Sequence, residues 1–230
     1  MTPTCLLLDL DGTLVDSAPG ITRSVATALT AVGVPVPDSD TLRSFVGPPM
    51  HQTFREILGL DEPTAERALR LYRAEYAKTG ALNSRVYDGI PDLLKVLAAA
   101  GLPMAIATSK VEDQAVRIAE HYGLAAHLVA VCGTSDAAGR TSKQLVIREC
   151  LRRLRLRAVD ISRPLMVGDR GYDVLSASAE GVPAIRVLWG YGTESESKGA
   201  RGIASSPQGL AQLLLTHSEL VMGAAPQAPA

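Results

Sequence analysis

Two carboxylates, Asp9 and Asp11, sit two residues apart at the end of the apolar run "CLLLDL", and Gly12 and Thr13 follow at once. Acids this close repel each other, so both stay ionised only beside solvent or a cation. A solvated turn is the plain answer, because Asp also caps helices and closes Asx turns. A cation site facing a phosphate is the chemical answer. Other groups of the same character lie further along. Thr108, Ser109 and Lys110 follow the apolar stretch "MAIA", and Lys143 stands a short loop beyond "LVAVCG". "GDRGYD" places Asp169 and Asp173 after "PLMV". Ser109 could be a helix N-cap, Lys110 a lysine that is either solvated or stands behind the site in support, and Asp169 with Asp173 a loop plus an N-cap. Two acid clusters, a hydroxyl and a lysine in this order carry more weight together than any of them alone.

These groups need strands to hold them. The runs 5–10, 103–108, 128–133, 164–169 and 183–189 are short, mostly apolar and bounded by Gly, Pro or acids. Continuous apolar runs suit strands covered on both faces. Helical stretches separate the last four: "VEDQAVRIAEHYG" with Gly123 at its end, "SKQLVIRECLRRL" after Thr141, and "DVLSASAEG" closing at Gly181. Strand and helix alternate, which predicts an α/β, Rossmann-like parallel sheet with helices on both faces. Ligands in such sheets bind outside the carboxyl ends of the strands, where the candidate residues fall.

The stretch 16–84 breaks the rhythm. Ile21, Val25, Leu29 and Val32 recur at helical spacing, and "EPTAERALRLYRAEYAKTG" reads as one charge-laced helix ending at Gly80. An all-helical cap over 16–84 is therefore expected, inserted into a core of 1–15 and 85–222. The Ala/Pro-rich end, 223–230, is expected to be a disordered tail. "FVGPPMHQTF" puts a rigid break at Gly47, Pro48 and Pro49, with His51 just beyond. Gly-rich "WGYGTESE" lacks a phosphate-loop pattern and reads as a loop flanking the site.

Composition sets limits. The 230 residues suffice for one core with an inserted subdomain. A net charge of −1 gives no global attraction to nucleic acid or anionic membrane. The five arginines of "RECLRRLRLR" interleave with leucines, which fits a solvated helix face and its following turn. No apolar run is long enough to span a membrane, and the N-terminal stretch lacks the basic region of a signal peptide. Three widely spaced cysteines, Cys5, Cys132 and Cys150, make neither a metal pair nor a disulfide framework, so a cytoplasmic location is expected. The sequence favours neither monomer nor homodimer.

In its ordered motifs the chain resembles the haloacid dehalogenase-like hydrolases, phosphatase branch. "DLDGTLVDS" is similar to the family's first motif, Thr108 to the second, Lys143 to the third and "GDRGYD" to the fourth. The second motif reads Thr-Ser-Lys where many relatives have Thr-Asn-Lys, and Gln144 replaces a proline that often follows the lysine. The resemblance implies a Mg²⁺ site built from Asp9, the Asp11 backbone carbonyl and Asp169, with Asp173 in support. It implies Asp9 as nucleophile, Asp11 as proton carrier, Thr108 on the phosphoryl oxygens and Lys143 against transition-state charge. Gly12, Ser109, Gly47, Pro48 and His51 are expected to line the substrate site. The second acid argues against carbon–halogen displacement, which has no alkoxide leaving group to protonate. A small phosphorylated metabolite is the implied partner, as for phosphoglycolate phosphatases or 5′-nucleotidases. A phosphotransferase, either a mutase or an enzyme directed at protein tyrosine, would use the same Asp9.

Overall fold

A computed structural model describes residues 2–215. The expected tail, and the last residues assigned to the core, lie outside the described residues. In chain order the elements are β1 (Cys5–Leu8), β2 (Val15–Asp16), α1 (Ala18–Ala31), α2 (Ser39–Ser44) and α3 (Met50–Gln52), which runs into a π-helical turn at Thr53–Ile57. Then come α4 (Glu62–Glu75), a second π-helical turn at Tyr76–Gly80, β3 (Arg85–Val86), α5 (Ile90–Ala99), β4 (Met104–Val111) and α6 (Glu112–His121). The chain continues through β5 (Ala130–Thr134), α7 (Lys143–Leu156), β6 (Pro164–Gly168), α8 (Gly171–Ser178), β7 (Ala184–Val187), β8 (Gly202–Ala204) and α9 (Pro207–Leu215).

Six strands form one sheet in the order β5-β4-β1-β6-β7-β8, and every pairing is parallel. β1 is central and fully buried. Its side chains alternate between two cores: Leu6 and Leu8 join one cluster, Cys5 and Leu7 the other. β4 does the same with Met104 and Ile106 against Ala105 and Ala107. Covering both faces is what makes these strands apolar throughout. Ile90, Leu93, Leu94 and Leu97 of α5, Ile118 of α6 and Leu210 of α9 seal the first face. Val146, Ile147, Cys150 and Leu154 of α7, with Val174 and Ala177 of α8, seal the second.

Several boundaries differ from the sequence expectation. β1 stops at Leu8 and β7 at Val187, each two residues short of its apolar run. β4 runs three residues past its apolar run, to Val111, and its register against β5 shifts between Ala107 and Val111. β8 was not expected; "GIA" is too short to signal a strand, and parallel pairing with β7 defines it. The expected long helix ends at Glu75 and hands over to the π turn.

Between residues 17 and 84 every regular element is helical. The ends of this segment are tied together by β2 and β3, which pair antiparallel through Val15↔Val86 and Asp16↔Arg85. α1 and the turn Tyr76–Gly80 approach closely where Gly20 faces the Gly80 backbone. Phe45, Val46, Phe54, Ala65 and Ala68 are buried under these helices.

Candidate active site

Asp9 follows β1 and Asp169 follows β6, and these two strands are neighbours in register up to Leu8↔Val167. The sheet therefore delivers the two acids to the same end, side by side. Both are buried. Lys143 opens α7, whose N-cap Ser142 accepts from the Leu145 amide, and its ammonium is buried with them. Lys143 Nζ donates to Asp9 Oδ1 at 2.6 Å and pairs with Asp173 Oδ1 at 2.7 Å. Asp173, in the first turn of α8, also accepts from the Arg170 amide at 3.0 Å.

Oxygens of Asp9, Asp169 and Asp173 lie within 4.8 Å of one another. Burial pushes the Asp9 carboxyl up to about 6, against the pull of Lys143. Burial, then Asp173 and Asp9, push Asp169 well above the usual carboxylate range. Burial also opposes the charge of Lys143, yet Asp173 and Asp9 outweigh it and hold the lysine above its ordinary value. One lysine thus faces three acids. A second cation would offset the remaining charge, and an all-oxygen donor set fits a hard ion such as Mg²⁺. Asp169 is fixed from the other side by the Tyr191 amide, which donates to Oδ2 at 2.7 Å. Gly12 has a φ of +83° and sits against Asp169; a Cβ there would strike its carboxylate.

The Asp11 carboxylate lies outside that group of three. Its Oδ2 pairs with Lys110 Nζ at 2.8 Å, and its Oδ1 is buried without a partner. Lys110 is therefore no solvated lysine: its side chain is 5% exposed, and it also donates to Tyr76 Oη at 2.8 Å. Burial opposes its charge, but Asp11 and then Tyr76 more than compensate and keep it protonated. Thr108 is buried at the end of the apolar part of β4, and its Oγ1 accepts from the Lys110 amide at 3.3 Å. Ser109 is not a helix cap, since Val111 holds that place before α6. It lies in β4 with its Oγ buried and unpartnered.

A cavity of about 1000 Å³ opens beside Asp11 and runs beneath the helical segment. Gly47, Pro48, His51 and Ser109 all line it, as do Tyr72 and Tyr76. His51 is half exposed and bonds to Glu62 Oε1 at 3.1 Å.

Two groups, Arg186 and Tyr76, carried no expectation from the sequence, and the "WGYG" loop, expected to flank the site, also holds it together. Trp189 Nε1 donates to the Thr13 carbonyl at 3.0 Å and Tyr191 Oη to Asp16 Oδ1 at 2.7 Å, so "WGYG" clasps the first acidic loop as well as Asp169. Arg186 is fully buried and donates to the Asp169 carbonyl at 3.1 Å. A charge inside the apolar run "AIRV" was the available signal. Tyr76 falls within the charge-laced stretch expected as one helix, and nothing in its spacing marks it out.

A family model described as haloacid dehalogenase-like hydrolase matches residues 6–187. Among curated proteins, Tyrosine-protein kinase PtkA of Mycobacterium tuberculosis is 44% identical over 190 residues, which is 83% of this chain. The matched part is only 64% of that protein's length. A 5′-nucleotidase of Pseudomonas aeruginosa is 42% identical over 191 residues, covering 83% of this chain and 85% of its own. Among solved structures, a predicted phosphatase from Clostridium acetobutylicum superposes with a TM-score of 0.86 at 37% identity, covering 94% of this chain and 99% of that one.

Proposed function

Since the chain belongs to the haloacid dehalogenase-like hydrolase family, we propose that it is a Mg²⁺-dependent phosphatase of small phosphate monoesters, with Asp9 as its nucleophile. One observation carries this reading: Asp9 is buried at a strand end beside Asp169, with its charge countered by Lys143 at 2.6 Å. A carboxylate held there is desolvated and aimed.

Mg²⁺ would be held by Asp9, Asp169 and the Asp11 backbone carbonyl, and would neutralise the phosphate and orient it for in-line attack. The chain's own residues do the rest. An Asp9 carboxylate oxygen bonds to phosphorus as the bond to the leaving oxygen breaks. Asp11 gives that oxygen its proton. In the second half Asp11 takes a proton from water, the hydroxide attacks phosphorus, and Asp9 leaves as the carboxylate. Thr108 and nearby amides bind the phosphoryl oxygens, and Lys143 offsets the charge that builds on them. Asp173 keeps Lys143 in place.

The cavity favours one substrate class over another. Glycolate would fill little of about 1000 Å³ lined in part by Phe45, Tyr72 and Tyr76. A leaving group with a ring, as in a nucleoside monophosphate, uses those walls better. The nucleotidase relative supports the same choice. The kinase relative keeps transfer to protein tyrosine as a second outcome.

The test is a panel of phosphorylated metabolites with Mg²⁺, including nucleoside monophosphates and phosphoglycolate, read as released phosphate. Asp9→Asn is expected to abolish release, by at least about a thousand-fold. EDTA is expected to stop turnover. Full activity of Asp9→Asn would refute the mechanism. Labelled phosphate appearing on protein tyrosine instead of in solution would replace hydrolysis with transfer.

A further inference from the structure

Lys110 is the one buried lysine near the cavity that the proposed chemistry leaves without a task. Its surroundings are specific. The ammonium reaches Asp11 Oδ2 at 2.8 Å and Tyr76 Oη at 2.8 Å. It also lies 4.4 Å from the centre of the Tyr76 ring, within cation–π range. Tyr76 in turn stacks on Tyr72, their ring centres 5.6 Å apart. Tyr76 belongs to the helical segment, whereas Lys110 belongs to the sheet. Asp11 is thus connected, through one lysine, to a residue that departs if the helices lift away.

The sheet is locally irregular at this point. Ala107 pairs with Cys132 but Val111 pairs with Thr134, so four residues of β4 advance against two of β5. Such irregularities re-aim side chains near strand ends. Here the displaced residues are Thr108, Ser109 and Lys110, and Lys110 ends against Asp11.

We propose that Lys110 is a positioning residue for the proton step: it pins Asp11 Oδ2, leaves Oδ1 as the oxygen that exchanges the proton, and is itself held in place by Tyr76 when the helical segment is docked. The unpartnered, buried Oδ1 is the observation that distinguishes the two oxygens. A carboxylate free to rotate would present either oxygen, or neither, to a leaving group. The ammonium also stabilises the carboxylate that remains once the proton has moved. The dependence on Tyr76 makes the proton carrier complete only when the helices cover the site, which protects the reaction from bulk water.

This rests on Asp11 as the proton carrier, and the experiment separates the two claims. Wild type, Asp11→Asn, Lys110→Met and Tyr76→Phe are followed in a single turnover on an alkyl phosphate and on 2,4-dinitrophenyl phosphate, read as release of the leaving group, which precedes the water step that both substrates share. The alkyl leaving group needs a proton and the dinitrophenolate does not. Lys110→Met is expected to slow leaving-group release from the alkyl phosphate by about a hundred-fold, the scale of general acid catalysis, while release from the aryl phosphate changes by less than about three-fold. The substrate concentration at half-maximal single-turnover rate stays within about three-fold on both, since uniform binding is untouched. Tyr76→Phe, which keeps the ring and loses the hydroxyl, follows the same pattern at about five-fold, the scale of one hydrogen bond.

Equal losses on both substrates in Lys110→Met would assign the lysine to the phosphoryl group or to the fold, and overturn the proposal. So would an unchanged rate of leaving-group release from the alkyl phosphate. If Lys110→Met does not fold, Tyr76→Phe decides: no leaving-group-dependent loss there refutes the link to the helices. If Asp11→Asn itself loses both substrates equally, the premise about Asp11 fails rather than the role of Lys110.

Discussion

At the scale of single residues, the site is a problem of charge. Asp9, Asp169 and Asp173 share a buried space with one lysine. Two pairings of 2.6 and 2.7 Å tie Lys143 to Asp9 and Asp173, so Asp169 has only hydrogen bonds, from the Tyr191 amide and from Thr13 Oγ1. Burial then raises Asp9 from 3.8 to about 6, and Asp169 moves the same way. A carboxyl raised on folding holds its proton in the folded state after the unfolded chain has released it. Its contribution to stability is therefore present at low pH and is lost as pH rises through that window. A bound cation reverses the sign, because it favours the ionised form that burial penalises. The expected outcome is a Mg²⁺-induced rise in melting temperature that grows from about pH 5 to about pH 7. Thermal unfolding with Mg²⁺ and with EDTA across that range measures it. A Mg²⁺ effect that is constant over the range would mean that the acids are already ionised without the ion.

At the scale of elements, precision comes from backbones that approach closely. α1 meets the turn Tyr76–Gly80 at two glycines, and a Cβ on Gly20 would run into the Gly80 carbonyl group. Helix interiors normally favour Ala over Gly. Here the propensity gain is under about 1 kcal/mol, while overpacking a close contact costs about 1–3 kcal/mol. Gly20→Ala is therefore expected to destabilise the protein by about 1–2 kcal/mol, measured by urea unfolding, and a stabilised variant would refute the contact. The sequence revealed the elements better than their contacts. Strands covered on both faces leave an unmistakable apolar run, so the five longer strands and the acids at their ends were readable. β8 was not, because three residues carry no period and only the neighbour β7 makes them a strand. The role of Lys110 was hidden for a similar reason. Its partners, Asp11 and Tyr76, lie far away in sequence, and the irregularity that turns β4 toward them leaves no mark in composition. Arg186 and the "WGYG" loop were visible as oddities, but what they hold is set by the tertiary fold alone.

At the scale of the whole molecule, the helical segment sits on the sheet through a few polar links of unequal weight. Arg73 and Asp136 pair at 2.9 Å, but both are largely exposed, and such pairs contribute little. Arg170 is different. It is mostly buried, its guanidinium bonds Glu196 at 3.0 Å, and Nη1 donates to the Val46 carbonyl at 2.7 Å, next to the Gly47–Pro49 break. It therefore joins the acidic loop after β6 to the segment that roofs the cavity. β2 and β3 tie the two ends of that segment together, and for a substrate that binds beneath the docked roof the binding-competent molecules are those with the roof docked. Apparent affinity then scales with their fraction. Arg170→Ala removes the link but leaves the Arg170 amide, and so its bond to Asp173, intact. Losing about 1.4 kcal/mol of docking, an ordinary amount for a charged hydrogen bond, is expected to raise KM by up to about ten-fold for every substrate, large or small, the full factor being reached where undocked molecules predominate. Saturating substrate restores the docked form, so kcat is expected to stay within about three-fold. This is the reverse of the pattern expected for Lys110→Met, which lowers kcat and spares KM. Steady-state kinetics of the two variants on the same substrates therefore separate a residue that helps close the site from one that helps move the proton. A fall in kcat with unchanged KM in Arg170→Ala would place Arg170 with the chemistry instead of with the roof.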